Sequence, residues 1–205
     1  EYALDTWRAA EKAGADFVVL CDTNGGCLPS EIAAITKDAI AKLNCKVGIH
    51  THDDSGVGVA NALAAVRVGA VQVQGTINGY GERAGNANIV SLLANLALKT
   101  PYQVAGADRL SELSGLSHAV AEIANLAPDD HQPYVGRSAF AHKGGVHGAA
   151  QVKTPRAYQH VDPEVVGNQR IIVVSDQAGR SNIMARFRQI GLEVDPKDPA
   201  VSRLL

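Results

Sequence analysis

Apolar residues recur along the first hundred positions with two alternating periods. Ala3, Trp7, Ala10 and Ala13 fall three or four apart, with Leu4 beside them, which predicts an opening helix that Gly14 stops. Residues 16–21, Asp-Phe-Val-Val-Leu-Cys, read as a strand apolar on both faces, the signature of a parallel sheet covered on each side. Asp22-Thr-Asn-Gly-Gly26 reads as a loop, and Pro29 opens a helix whose stripe is Ile32, Ile35, Ala39, Ile40 and Leu43. The pattern then repeats. A strand over 46–49 leads through a glycine-containing turn to an alanine-rich helix over 57–68, closed by Gly69. A strand over 71–77, a loop over 78–86 and a helix over 89–98 follow. Regular strand–helix alternation of this kind predicts a parallel α/β sheet or a (β/α)8 barrel.

Every polar cluster of this stretch falls where a strand ends: Asp22 with Thr23, then His50, His52 and Asp54, then the loop from Asn78 to Asn86. Strand-end loops of a barrel or a doubly wound sheet are where functional groups collect. Three consecutive strands so equipped favour a barrel mouth. A barrel takes eight strands in about 250 residues, and only three are visible. The expected architecture is therefore the C-terminal part of a (β/α)8 TIM barrel, about three βα units over residues 1–100. Residues 101–205 are expected to form a mostly helical linker subdomain. There, Leu110, Leu113, Leu116, Ala119, Val120, Ile123 and Leu126 fit one or two amphipathic helices, with a short strand over 169–175 and a helix over 181–190.

Composition narrows the function classes. With 205 residues, 46% hydrophobic, and a net charge of −2, the chain is of ordinary globular type. No basic block or aromatic-basic interleaving points to nucleic acid, and no apolar run approaches membrane-spanning length. The first residues do not read as a signal peptide. Cys21, Cys27 and Cys45 lack metal-type CxxC spacing, which suits reduced thiols in a cytoplasm. None is expected to be catalytic, since Cys21 lies in an apolar run and buried thiols are mostly inert.

The chemistry starts from His50-Thr-His52. Strand side chains alternate, so the two histidines share a face, and each neutral ring offers one lone pair to a metal. Two ligands alone do not make a site, and a hydrogen-bonded pair at a strand end is the alternative. The loop after the third strand offers a rival. Gly79-x-Gly81-x-x-Ala84 fits a loose dinucleotide fingerprint and would make this a nucleotide-binding α/β module. No acidic residue ends a strand about twenty residues on, where a ribose needs one. Otherwise the glycines turn the backbone sharply and deliver Asn86 and Glu82 into the mouth. His142 and His147, separated by Gly144-Gly145, read on their own as surface or core histidines.

Taken together, Asp22-Thr23, the HxH-x-Asp of 50–54 and Asn-Gly-Tyr-Gly-Glu-Arg-Ala-Gly-Asn-Ala at 78–87 resemble the last three strands of the 2-isopropylmalate synthase family. That family includes homocitrate and citramalate synthases and, more distantly, HMG-CoA lyase. The segments 72–83 and 136–147 are most similar to long-chain bacterial citramalate synthases, and the resemblance spans essentially all 205 residues.

The resemblance implies a metal-dependent acyltransferase that condenses acetyl-CoA with a 2-keto acid, pyruvate giving citramalate on the route to isoleucine. A 2-isopropylmalate or homocitrate synthase, or a related lyase, is the alternative. It implies His50, His52 and Asn86 as ligands of a divalent metal (Mg²⁺, Mn²⁺ or Zn²⁺) and Thr23 as a contact to the keto acid. It implies His147 as a catalytic proton-transfer residue, with Tyr158 reaching a neighbouring subunit's site in a homodimer, and Glu82 joins them as a catalytic candidate. The family's remaining ligand, an aspartate of the first barrel strand, has no counterpart in this chain, so the isolated 205 residues are expected to be inactive. One departure stands out: the family usually has Asn where this chain has Asp53. That carboxylate either shifts the histidines' basicity or faces away from the metal.

Overall fold

Three strands, β1 (Phe17–Asp22), β2 (Lys46–Thr51) and β3 (Gln72–Gln74), form one parallel sheet in that order. Helix α1 (Tyr2–Lys12) precedes them, and α2 (Pro29–Lys42), α3 (Gly58–Arg67) and α4 (Ile89–Lys99) each follow a strand, as the periodicity predicts. The computed structural model describes residues 2–142, 159–172, 179–196, 198, 199 and 201. These fall into two compact units, residues 1–108 and 109–205.

In the first unit, one face of the sheet carries Val18, Leu20, Val47 and Ile49, all buried against Ile32, Ala39, Ala62, Ala65 and Leu92. Each large aliphatic side chain buried this way contributes about 1.5–3 kcal/mol. The other face differs from the expectation of a strand covered on both sides. Phe17 and Cys21 are exposed there, in line with the side on which Cys21 stands opposite His50 in the register. The helices of this unit cover one side only; in a barrel the other side packs against strands across the interior.

The third strand is shorter than the predicted 71–77. At Gly75 the chain leaves β2 and comes so close to the Ala87 carbonyl that a Cβ would lie 2.3 Å from it. Thr76 then donates its N–H to the Ala87 carbonyl and accepts from the Ile89 N–H, while Ala87 donates to the Thr51 carbonyl. Residues 85–89 therefore thread between the ends of β2 and β3 and satisfy backbone groups that a longer ladder would have used.

The second unit holds α5 (Leu113–Ile123), a short parallel pair of strands, β4 (Ala141–His142) and β5 (Ile171–Ile172), and α6 (Arg180–Gln189). The strand β5 and the helix α6 match expectation; β4 does not appear in the periodicity. Helix α5 forms where predicted but is rotated. Its buried side is Leu113, Ser114, Ser117 and Ala121, while Leu116 is 44% and Ile123 86% exposed. The cause is a close backbone approach. Ser114 Oγ donates to the Val166 carbonyl at 2.8 Å, and a Cβ on Gly167 would lie 2.1 Å from the Ser111 carbonyl oxygen. Small polar residues admit that approach and leucines do not. Among the described residues no helix is long and apolar enough to cross a membrane.

Candidate metal centre

His50 lies in the last turn of pleat of β2, with His52 just beyond it, and both are half-buried. Thr51 between them points the other way, is fully buried, and donates Oγ1 to the Gly58 carbonyl at 2.8 Å. The two imidazoles face each other with ring centres 5.2 Å apart and planes at 68°. A metal about 2.1 Å from one nitrogen of each ring would set ring centres roughly 4.5 to 5.3 Å apart, for bond angles between right and tetrahedral. The spacing therefore suits a shared ion.

Asn86 reaches the same place from the loop after β3. It forms an antiparallel bridge with His52, closed by Asp53 N–H to the Gly85 carbonyl and Ala87 N–H to the Thr51 carbonyl. Directly opposed residues of such a bridge send their side chains to the same side. The Asn86 side chain is 9% exposed, and its Nδ2 donates to the Tyr80 carbonyl at 3.3 Å. Gly81 makes room for it, since a Cβ there would lie 2.0 Å from that Nδ2. With the amide nitrogen committed to the loop, the amide oxygen is the end left for a cation.

Arg83 and Asp54, to which sequence reasoning gave no role, tie the strand ends together. The Arg83 guanidinium forks onto Asp54, Nε to Oδ1 at 2.8 Å and Nη2 to Oδ2 at 2.9 Å. Nη2 also donates to the Thr23 carbonyl at 2.7 Å and lies 3.1 Å from His52 Nδ1. Those hydrogen bonds hold the Asp54 carboxyl below the usual carboxylate range. Gly25, with φ +64°, lets the Asp54 carboxylate pack in, because a Cβ there would meet Oδ2 at 2.4 Å. The signal available in the sequence was a lone Arg and a lone Asp, 29 residues apart, each at a strand end.

The other predicted residues fall as follows. Thr23 is exposed at the end of β1, its carbonyl held by Arg83. Glu82 does not join the group, contrary to the expectation that the loop delivers it into the mouth. Its side chain is 90% exposed and its nearest cation is Arg83 at 4.0 Å. The chain turns there, Arg83 taking the left-handed conformation with φ +57°. His147 and Tyr158 lie outside the described residues. Of the two alternatives for Asp53, the structure takes the second: Oδ1 accepts the Gly58 N–H at 2.6 Å and tethers the start of α3. Cys27 and Cys45 have thiol pKa values pushed up, by burial first and then by Asp22 and Glu11 respectively, so neither is an activated nucleophile.

His50, His52 and the Asn86 oxygen could supply three donors of a mixed N/O set, of a kind that suits Mg²⁺, Mn²⁺ or Zn²⁺. Among the described residues no group of three or more His, Cys, Asp or Glu side chains is gathered for a metal. The residues present fit a divalent cation on these terms. They do not fit a dinucleotide. The N–H groups of Gly79, Tyr80, Gly85 and Asn86 already donate to the carbonyls of Thr76, Ile77, Glu82 and Gly79. Those four donors are not open to a phosphate, and α4 begins only at Ile89, where Asn88 Oδ1 accepts the Val90 N–H.

Comparison with known proteins bears on the family and the fold. The HMGL-like family pattern matches residues 1–120, and the homocitrate synthase post-HMGL domain-like pattern matches residues 134–202. The chain is 53% identical to an (R)-citramalate synthase of Aquifex aeolicus and 49% identical to one of Synechocystis, covering 100% of this chain and 39% of each relative. It thus spans about two fifths of the length of the curated relatives it matches. The solved HMG-CoA lyase of Bacillus subtilis superposes with a TM-score of 0.53 over 62% of this chain and 44% of that one, at 19% identity, which speaks for the fold alone. The three βα units are thereby part of a TIM barrel, and the chain belongs to the HMGL-like family.

Proposed function

We propose that this chain is part of a metal-dependent acyltransferase that joins acetyl-CoA to a 2-keto acid, with pyruvate as the acceptor and citramalate as the product. The observation that supports the reading is the His52–Asn86 bridge, which brings the Asn86 backbone to the strand end that carries the paired imidazoles. About 50% identity to (R)-citramalate synthases across the whole chain supports the choice of keto acid.

In this reading residues 1–100 are the C-terminal part of the catalytic barrel and 101–205 the linker subdomain. His50, His52 and Asn86 hold the divalent cation, completed by a carboxylate from another barrel strand. That cation supplies Lewis acidity toward the keto acid's carboxylate and carbonyl oxygens. Thr23, at the adjacent strand end, contacts the keto acid. His147 moves a proton during carbon–carbon bond formation, a role imidazole suits because it titrates near working pH. Tyr158 hydrogen-bonds the developing alkoxide from a neighbouring subunit, which makes the enzyme a homodimer. Glu82 stays a catalytic candidate in this scheme, although its side chain is 90% exposed in this chain.

The test is CoA release by the full-length enzyme with pyruvate, 2-oxoisovalerate and 2-oxoglutarate, before and after metal removal by a chelator. Metal-dependent release with pyruvate preferred is expected. Turnover that survives complete metal removal refutes the metal role, and preference for another keto acid refutes the substrate. Mixing His147→Ala with His52→Ala subunits, each inactive alone, then reads the subunit question: partial recovery in mixed dimers supports a shared site, and none refutes it.

A further inference from the structure

Asp22 closes β1 with its side chain on the helix side of the sheet. It stands opposite Thr51 in the register, and Thr51 is fully buried and bonded to the start of α3. Asp22 is 8% exposed, and its Oδ2 is buried without a hydrogen-bond partner. Thr36 on α2 is 0% exposed, and its Oγ1 is likewise buried and unpartnered. Both side chains line one cavity of about 260 Å³, together with Trp7, Cys27, Ile32 and Ile35. None of the residues lining it is a lysine, arginine or histidine. The Cys27 thiol, whose pKa is raised by burial and then by Asp22, is a weak donor. A carboxylate taken out of water is costly unless a cation or strong donors meet it.

The place of the cavity says where a partner comes from. It lies between α1, α2 and β1, and among the described strands β1 pairs with β2 alone. Helix α1 packs Leu4 and Trp7 on the core and leads straight into β1. A helix so placed links two parallel strands that neighbour each other. In the full-length barrel the strand that enters α1 therefore takes the free edge of β1. Parallel strands end at the same edge of the sheet, so its last residues come level with Asp22.

We propose that Asp22 and Thr36 form a socket for a basic side chain (lysine, arginine or histidine) at the end of the strand that enters α1, and that this clasp positions Thr23. A charge-assisted bond suits the unmet carboxylate oxygen, and the Thr36 hydroxyl can accept a second N–H of the same group. Side chains alternate along a strand, so holding Asp22 on the helix side presents Thr23 on the mouth side. The Asp22 carbonyl accepts the Gly25 N–H at 3.1 Å and the His52 N–H at 3.4 Å, and the Thr23 carbonyl accepts from Arg83 Nη2. Those bonds hold the turn from the side of β2 and its neighbours; the clasp holds it from the other side. The positioning half of the proposal rests on the reading of Thr23 as a contact to the keto acid, and the socket does not.

A crystal structure of the full-length enzyme reads the socket directly. A side-chain nitrogen of the strand that enters α1 should lie within about 3.2 Å of Asp22 Oδ2; water or backbone N–H groups alone on that oxygen overturn the socket. Kinetics of the full-length enzyme read the positioning. Asp22→Ala should lower kcat/KM for pyruvate by about 10²-fold, the cost of a contact misplaced by an ångström. The loss should fall on KM rather than kcat, with Mn²⁺ affinity at the wild-type value. Asp22→Asn keeps an acceptor oxygen and should recover part of the loss. A loss shared by KM, kcat and Mn²⁺ affinity marks a structural tie and overturns the positioning, as does failure of both Asp22 variants to fold. Thr23→Val with an unchanged KM for pyruvate overturns the Thr23 reading and the positioning together. Loss in Thr23→Val without loss in Asp22→Ala overturns the positioning alone.

Discussion

Gly81→Ala adds one methyl group and tests whether Asn86 is a ligand without touching any ligand. The Cβ would lie 2.0 Å from Asn86 Nδ2, 3.2 Å from Asn86 Cγ and 3.4 Å from Gly85 Cα. Ordinary carbon contacts begin near 3.5 Å, so the amide has to retreat by more than an ångström. Gly81 does not have a positive φ, so alanine meets no backbone strain there and the clash falls on the Asn86 amide. Metal–ligand distances tolerate only about ±0.2 Å. The displaced oxygen is then out of reach, and metal affinity in the full-length enzyme should fall by about 10–100-fold, the size of effect seen when a supporting partner of a metal site is lost. The loop position is exposed, so the thermal midpoint of the metal-free protein should barely move. Equilibrium dialysis against Mn²⁺ or Zn²⁺ measures the first quantity and a melt in chelator the second. Asn86→Ala should match Gly81→Ala, and the double variant should add nothing. Unchanged affinity in Gly81→Ala, with the fold intact, would refute the ligand role of Asn86.

Asp53→Asn keeps an oxygen for the Gly58 N–H, so metal content and stability should both stay near wild type, while Asp53→Ala loses the tether and about 1 kcal/mol in urea unfolding of the full-length protein. Ile49, 1% exposed at the centre of the first core, should lose about 2–5 kcal/mol as alanine in the same assay. Glu11 Oε1 accepts the N–H groups of Asn44 and Cys45, and these bonds, Cys45 first, lower its pKa in the folded state. A lowered folded pKa means stability that is full above the unfolded value of about 4.3 and is lost as pH falls through the folded one. Glu11→Gln should therefore melt below wild type at pH 7, and the gap should close toward pH 3.

Much of the first unit was legible because each clue was local. Short apolar runs placed β1 and β2, and Pro29 and Gly69 marked a helix start and a helix end. What was not legible came from contacts between distant segments. Nothing in 71–77 reveals that residues 85–89 take over the strand end, because that depends on how closely Gly75 and Ala87 approach. The apolar stripe of α5 was read correctly as a helix, but Leu113 alone of its large aliphatic residues is buried there, while Leu116 and Ile123 face water. Two serines and Gly167 let another backbone segment come closer than leucines allow, and close approach outweighed hydrophobic periodicity in fixing the rotation.

The site divides along the same line. His50 and His52 share a face because a strand alternates, so two residues of sequence suffice to pair them. Asn86 is 34 residues beyond His52 in the chain; the loop glycines suggested that it reaches the mouth, and only the resemblance to a known family gave it a ligand's role. Its neighbour in the motif, Glu82, carries the more obviously reactive side chain and faces water. The loop geometry decides between them: the turn that buries an amide over Gly81 is the same turn that turns a carboxylate outward. Arg83 sits between the two and looked like a solvated charge. Its fixed fork makes it the one side chain of the loop that engages all of Thr23, His52 and Asp54. A flexible ammonium at that position would satisfy one partner at a time, whereas a planar guanidinium holds several strand ends in a single geometry. The residue type, rather than the charge alone, is therefore what lets three separately folded loops present one site.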